Sequence, residues 1–244
     1  MTIIKLNATH STNSYMRQLL ATKELEDYSV VWTLNQTRGR GQMGTVWSSQ
    51  PGKNLTISIY KDVSWLGISN HFFISIVVSL ALIQTLNELM IINLKIKWPN
   101  DILSDNKKLG GILIENIIKN NQLKASIIGI GLNVNQTNFD NLPQASSLIN
   151  ITGRVIPLEE ILDRVLINIK ASFLKLQEKH AFDELKKNYN STLFRLNKPS
   201  TFKDKNNNLF AGYIYGTDKQ GNLLVLLENK VIKSFGFKEI TLLY

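Results

Sequence analysis

The sequence predicts an α+β chain: a large domain in which helices and strands alternate, followed by a small all-β module. Three observations carry this. Residues 68–90 form a long apolar run without internal Gly or Pro, of helical length. Shorter alternating or continuous apolar runs of strand length lie on both sides of it. After Pro199 only short β-type runs remain, separated by polar turns.

Ser11-Thr12-Asn13 precedes a short helical pattern with Tyr15, Met16, Leu19 and Leu20 on one side. Residues 29–34 read as a strand, followed by a Gly-rich loop and a second strand at 54–60. The run 68–90 is the central helix. Ser75, Ser79, Gln84, Thr85, Asn87 and Glu88 interrupt its apolar stretch, so it reads as buried core, not as a membrane span. Residues 94–98 alternate apolar side chains with Lys and are closed by Pro99, a half-buried strand ending at a turn. Two further strands, 111–117 and 123–130, are joined by Lys119-Asn120-Asn121. Pro157 opens a helix at its favoured first position, with Glu159 and Glu160 in the first turn, and the pattern runs to about residue 180. A short helix over 182–189 follows. The closing runs 209–215, 223–227, 231–235 and 240–243 have the spacing of a small barrel. A boundary near Asn197 gives two domains, 1–196 and 197–244.

Composition narrows the function classes. With 43% hydrophobic and 19% charged residues the chain is globular, too apolar for disorder. Zero cysteines exclude a disulfide framework and thiol catalysis and fit a reducing compartment, so cytoplasm is the expectation. The N-terminus lacks the basic, apolar and small-residue order of a secretory signal. A net charge of +9 (28 basic minus 19 acidic) favours anionic partners, but the lysines are scattered and form no dense nucleic-acid-binding arm. Small anionic molecules or an acidic protein account for the excess equally well. His10, His71 and His180 are far apart and have no metal-ligand spacing.

Three Gly-marked segments carry the chemistry. The first, residues 36–47, places Gly39, Gly41 and Gly44 beside Arg38 and Arg40. Such glycines let backbone approach a ligand closely, and the guanidinium groups suit phosphate. The second runs from Lys97-Trp98-Pro99-Asn100-Asp101 to Lys107-Lys108-Leu109-Gly110-Gly111. It sets a carboxylate and an amide at a strand end and a lysine at the start of the next strand. Asn-Asp after Pro is also ordinary turn chemistry. The third, 129–135, ends an apolar strand with Gly129, Gly131, Asn133 and Asn135, a pattern that also fits a plain strand end.

In this order, the motifs resemble the biotin–protein ligase family over nearly the whole chain. The match takes in Ser11-Thr12-Asn13, Gln36, Gly39-Arg40-Gly41, Gly44, Trp47, Lys97 to Asp101, Lys108 to Ile112, Gly129, Gly131, Asn133 and Asp218-Lys219-Gln220-Gly221. The resemblance implies a mixed-sheet catalytic domain of the biotin/lipoate ligase type followed by an SH3-like β-barrel. It implies ATP and biotin as substrates with Mg²⁺ as helper, and the biotin carboxyl-carrier domain of acetyl-CoA carboxylase or a related enzyme as acceptor. By similarity Lys108 and Arg40 are catalytic. Ser11, Thr12, Asn13, Gln36, Gly39 and Gly111, with Arg40 and Lys108, take biotin. Arg38, Trp47, Lys97, Asn100, Asp101 and Asn133, with Arg40, take the nucleotide.

Two departures stand out. Gln42 occupies a position where many family members carry a second arginine, so that one phosphate-contacting charge is either missing or supplied by Arg38. Only ten residues precede Ser11, too few for the winged helix-turn-helix of members that also repress transcription, so specific DNA binding is not expected. Three competing readings remain at this level. They are a lipoate or octanoate ligase of the same architecture, a nucleic-acid-binding protein, and a biotin-binding module without activity. Ser11-Thr12-Asn13 also has the composition of a helix cap.

Overall fold

The computed structural model describes residues 1–140 and 142–244, and for Met43, inside the first Gly-marked segment, the backbone alone. In chain order the elements are β1 (Ile3–Leu6), α1 (Thr12–Thr22), β2 (Val30–Thr33), β3 (Leu55–Asp62), α2 (Phe72–Glu88), β4 (Leu94–Lys97), β5 (Asp101–Ser104), β6 (Lys107–Lys119) and β7 (Gln122–Leu132). They continue with α3 (Leu148–Thr152), α4 (Leu158–Leu176), α5 (Ala181–Ser191), β8 (Pro199–Asp204), β9 (Leu209–Thr217), β10 (Leu223–Leu227), β11 (Ile232–Phe235) and β12 (Ile240–Leu243). The fold is α+β, with a mixed sheet and helices followed by an antiparallel sheet consistent with a small SH3-like module.

Seven strands form the first sheet in the order β1-β2-β3-β7-β6-β5-β4. β1 and β2 are parallel and every other pair is antiparallel. Side chains alternate between the two faces of a strand, and here the alternation separates two environments. Leu55, Ile57 and Ile59 of β3 and Ile128, Ile130 and Leu132 of β7 point to one face, where α2 and α4 cover them. The opposite face carries Thr56, Ser58, Gly129 and Gly131, with α1 packed over its far end through Met16 against Val31 and Ile127. Bulk therefore lies on one side of the sheet and space on the other.

α2 is apolar nearly all round because it is enclosed by the sheet, α4 and α5. By length and mean hydropathy (1.6) Ile68–Glu88 passes as a membrane span, yet more than half of it is buried inside the protein. The helix proper begins at Phe72, after a separate 3₁₀ turn at Ile68–Asn70, later than the periodicity suggests. Phe173 of α4 is fully enclosed and meets Tyr28 edge to face at 6.4 Å. Its replacement by alanine should cost about 3–5 kcal/mol of stability, measurable by urea unfolding; a loss under 1 kcal/mol would show that the site collapses around the gap.

The second sheet runs β11-β10-β9-β8-β12, all antiparallel. It is fastened to the turn after β4 and to α5, where Trp98 Nε1 donates to Gly221 O (2.9 Å), Trp98 stacks at a tilt on Phe237 (5.3 Å), and Thr217 Oγ1 donates to Asn190 Oδ1 (2.9 Å). Gly221 has φ +90 and the Phe72 ring occupies the place of its missing side chain, so this turn requires glycine.

Candidate active site

The small residues on the open face of the first sheet leave a cavity of about 330 Å³, of the size used for small molecules. Thr56, Gly111, Gly129 and Gly131 floor it, α1 and the Gly-rich loop wall it, and Trp98, Phe237 and Lys238 close the side facing the second sheet. Four basic side chains line it (Arg40, Lys97, Lys108, Lys238) against one carboxylate, Asp101.

At the end nearest α1 the lining is polar and neutral. Ser11 precedes the first turn of α1 without making a side-chain capping bond, so its hydroxyl is not spent on the helix. Thr12 is held from outside the helix, its N–H (2.8 Å) and Oγ1 (3.2 Å) both donating to Gln36 Oε1. Asn13 is buried with its amide fully engaged. Ser58 Oγ donates to its Oδ1 (2.6 Å), and its Nδ2 donates to Leu113 O (3.2 Å) and Glu115 Oε2 (2.8 Å). Asn13 thus lines the cavity as a bracket between α1, β3 and β6.

The opposite end is charged. Lys108 Nζ pairs with Asp101 Oδ1 at 2.6 Å, the two residues lying close across the β5–β6 ladder. The Lys108 side chain remains one-third exposed, and its Nζ is 3.6 Å from the place a Cβ on Gly111 would take. A Cβ there would stand in ordinary van der Waals contact with the ammonium, which lies against the sheet at this point. Lys107 points away and donates to Pro143 O (2.6 Å), so geometry separates the two adjacent lysines. Asn100 Nδ2 donates to Ile112 O (2.8 Å), which ties the Trp98–Pro99 turn, a cis peptide, to β6. Lys97 Nζ lies 4.7 Å over the ring of Tyr244. Burial, then the Asp101 charge, push the Tyr244 phenol above its ordinary value, and Lys108 acts in the opposite direction.

The Gly-rich loop is closed on itself by Gly41 N–H to Thr45 O (2.7 Å) and Trp47 N–H to Gly39 O (3.0 Å). Its Trp47 ring lies flat on Gly131, with Cε2 2.5 Å from where a Cβ would stand, and 5.7 Å from Lys108 Nζ. Among the described residues the buried indole N–H finds no partner, a donor that a ligand acceptor would satisfy.

The structure thus brings together Ser11, Thr12, Asn13, Gln36, Arg40, Trp47, Lys97, Asn100, Asp101, Lys108 and Gly111. Arg38 and Gly39 line a separate cleft on the outer side of the loop, while Gln42 lines the main cavity. Arg38 is not among the residues that line the main cavity, although the two spaces share Arg40, Gly41 and Thr45. Asn133 is buried beneath the cavity wall, its N–H donating to Leu109 O (2.7 Å) and its Nδ2 to Ser146 O (2.9 Å). Residues that sequence reasoning left without a role are Leu113, Glu115, Phe194, Phe237 and Lys238. The period-2 pattern of β6 puts 111, 113 and 115 on one face and was the available signal for the first two.

The chain matches the biotin/lipoate A/B protein ligase family over residues 6–133. It is 29% identical over 228 residues to the bifunctional ligase/repressor BirA of Bacillus subtilis (strain 168), spanning 91% of this chain and 69% of that one. It is 27% identical over 170 residues to the biotin–[acetyl-CoA-carboxylase] ligase of Mycobacterium tuberculosis, 68% of this chain and 62% of that one. Among solved structures, the Aquifex aeolicus biotin protein ligase in complex with biotin and ATP superposes with a TM-score of 0.81 at 28% identity, covering 99% of this chain and 98% of that one. The chain belongs to the biotin/lipoate A/B protein ligase family, on its biotin protein ligase branch.

Proposed function

We propose that this protein joins biotin to ATP as biotinyl-5′-AMP and then transfers the biotinyl group to a lysine of a biotin carboxyl-carrier domain, that of acetyl-CoA carboxylase or a related enzyme. The observation that carries the reading is one cavity with a neutral, hydrogen-bonding end at Ser11, Thr12 and Gln36 and a cationic end at Lys108 and Lys97, with Arg40 also in its lining. A ureido ring needs the first, and a carboxylate facing a polyphosphate needs the second.

In the first step an oxygen of the biotin carboxylate attacks the α-phosphorus of ATP, and the bond to the β-phosphate oxygen breaks to release pyrophosphate. The reactants are both anions, so orientation and positive charge dominate the barrier. Lys108 bridges the carboxylate and the α-phosphate, and Arg40 holds the phosphate. Trp47, Lys97, Asn100 and Asp101 frame the nucleotide. In the second step the acceptor lysine attacks the acyl carbon, AMP leaves, and the amine proton is released. Gly39, Gly41 and Gly44 allow the loop to lie close over the anhydride and exclude water.

Mg²⁺ belongs to this reading as a charge carrier on the ATP phosphates. Among the described residues no group of three or more His, Cys, Asp or Glu comes together, and Asp101 is engaged by Lys108. The side chains fit a metal brought by the nucleotide and not a protein cage. We assign catalysis to residues 1–196, treat 197–244 as the C-terminal β domain, and place the protein in the cytoplasm.

Pyrophosphate exchange into ATP, run with biotin, lipoate and octanoate in parallel, tests the function. Exchange with biotin alone is the expected result, and exchange with lipoate but not biotin overturns the reading. Trp47→Ala should raise the ATP KM about tenfold, the scale of one lost base–aromatic stack, with biotin affinity changed less. Equal losses for both ligands would mean that Trp47 orders the loop and does not contact the nucleotide.

A further inference from the structure

We propose that Glu115 is a positioning residue that docks Arg40 in the free protein, and that adenylation begins by exchanging this ion pair for phosphate; the second clause rests on the function proposed above. Arg40 Nη2 contacts both Glu115 oxygens, at 3.0 and 3.2 Å. The same carboxylate accepts from Asn13 Nδ2 (2.8 Å) and lies 3.5 Å from Arg17 Nη2 of α1. Asn13 and Arg17 of α1 and Arg40 of the Gly-rich loop thus converge on one residue of β6, whose carboxylate is only one-fifth exposed.

Position makes the pair a resting state. Gly111, Leu113 and Glu115 share one face of β6, with Gly111 beside Lys108 and Glu115 beside Arg40. Four residues of strand separate the two ends by roughly 13 Å. Arg40 on Glu115 is therefore drawn off the end of the cavity where Lys108 lies, and reaching a phosphate there means crossing Leu113. Among the described contacts of the loop, that of Arg40 on Glu115 is a charge pair that an incoming anion competes for, whereas Trp47 rests on Gly131 without charge. With the Arg40 side chain nearly half exposed, the pair is weak enough to exchange. Asn13 holds Glu115 from beneath, which fixes where Arg40 rests relative to α1.

Glu115→Gln keeps an acceptor for Asn13 and removes the charge. In the ligand-free full chain, amide hydrogen exchange at Gly41, Thr45 and Trp47 should accelerate at least fivefold, with the unfolding midpoint unchanged. In pyrophosphate exchange with biotin, the KM for ATP should fall two- to fivefold while kcat stays within a factor of two. Unaltered loop protection overturns the docking role. Loosened protection with an unchanged or raised KM overturns the exchange with phosphate. The hydrogen-exchange arm uses neither biotin nor ATP, so it decides the docking role even if the parent protein catalyses no biotin-dependent exchange.

Discussion

Lys108→Ala should reduce biotin-dependent pyrophosphate exchange by about 10³-fold or more, the loss associated with removing a preorganised charge from a reacting anion. The fold should survive, because the backbone of Lys108 is held independently of its side chain. Its N–H donates to Gln144 O (2.7 Å) and its O accepts from Ser146 N–H (2.9 Å), while the side chain projects into the cavity. Biotin binding, read by calorimetry, should weaken by no more than about tenfold, since the Ser11, Thr12 and Gln36 end is untouched. Normal turnover would show the ammonium to be dispensable. Lys107 offers no substitute, being turned outward to Pro143. If exchange and biotin binding fell by the same factor, Lys108 would be a ground-state binding group without a special role in the reacting complex.

The second large effect is expected at the other end of the cavity. Gly129→Ala would place a Cβ 3.0 Å from Asn13 Cγ and 3.1 Å from Leu113 O, with Asn13 Oδ1 closer still. Neither neighbour gives way easily. Leu113 O is backbone within the β6–β7 ladder, and Asn13 is clamped by Ser58, Leu113 and Glu115. The extra methyl must therefore displace the first turn of α1, which carries Thr12 and borders Ser11. We expect biotin affinity to fall at least 100-fold, with about 1–3 kcal/mol of lost stability from overpacking. Gly131→Ala is the informative contrast. There the obstacle is the Trp47 ring, a side chain on a loop, which swings aside at little cost in stability. Unchanged biotin affinity in Gly129→Ala would mean that the sheet relaxes and that Asn13 does not fix the biotin end.

The strand and helix pattern was legible wherever one face of an element is continuously buried. α2, α4 and β10 carry long or regular apolar runs, and the runs 223–227 and 240–243 coincide with β10 and β12. β6 and β7 extend beyond the apolar runs, because their ladder continues through polar residues to Lys119 and Gln122. β1, β5, β8 and α3, each four to six residues long, escaped notice, whereas the equally short β4 and β12 were legible. β8 also begins at Pro199, which reads as a boundary, although proline is tolerated as the first residue of a strand.

By itself the sequence determined the chemistry available: a Gly-rich loop with arginines, a lysine before a double glycine, a Ser-Thr-Asn turn, and an order of motifs shared with one family. It could do so because those signals are local, resting on residue types that backbone approach and phosphate recognition demand within a few positions. Only the tertiary structure decided which of them face one another. Asp101 meets Lys108 across a ladder, Trp47 rests on Gly131 from 84 positions earlier, and Arg40 reaches Glu115 across 75. Arg38 and Asn133, equally plausible by residue type, are turned to the outer cleft and to the wall behind the cavity. Strand register sets this division, since shifting a pairing by one residue exchanges the two faces of a sheet.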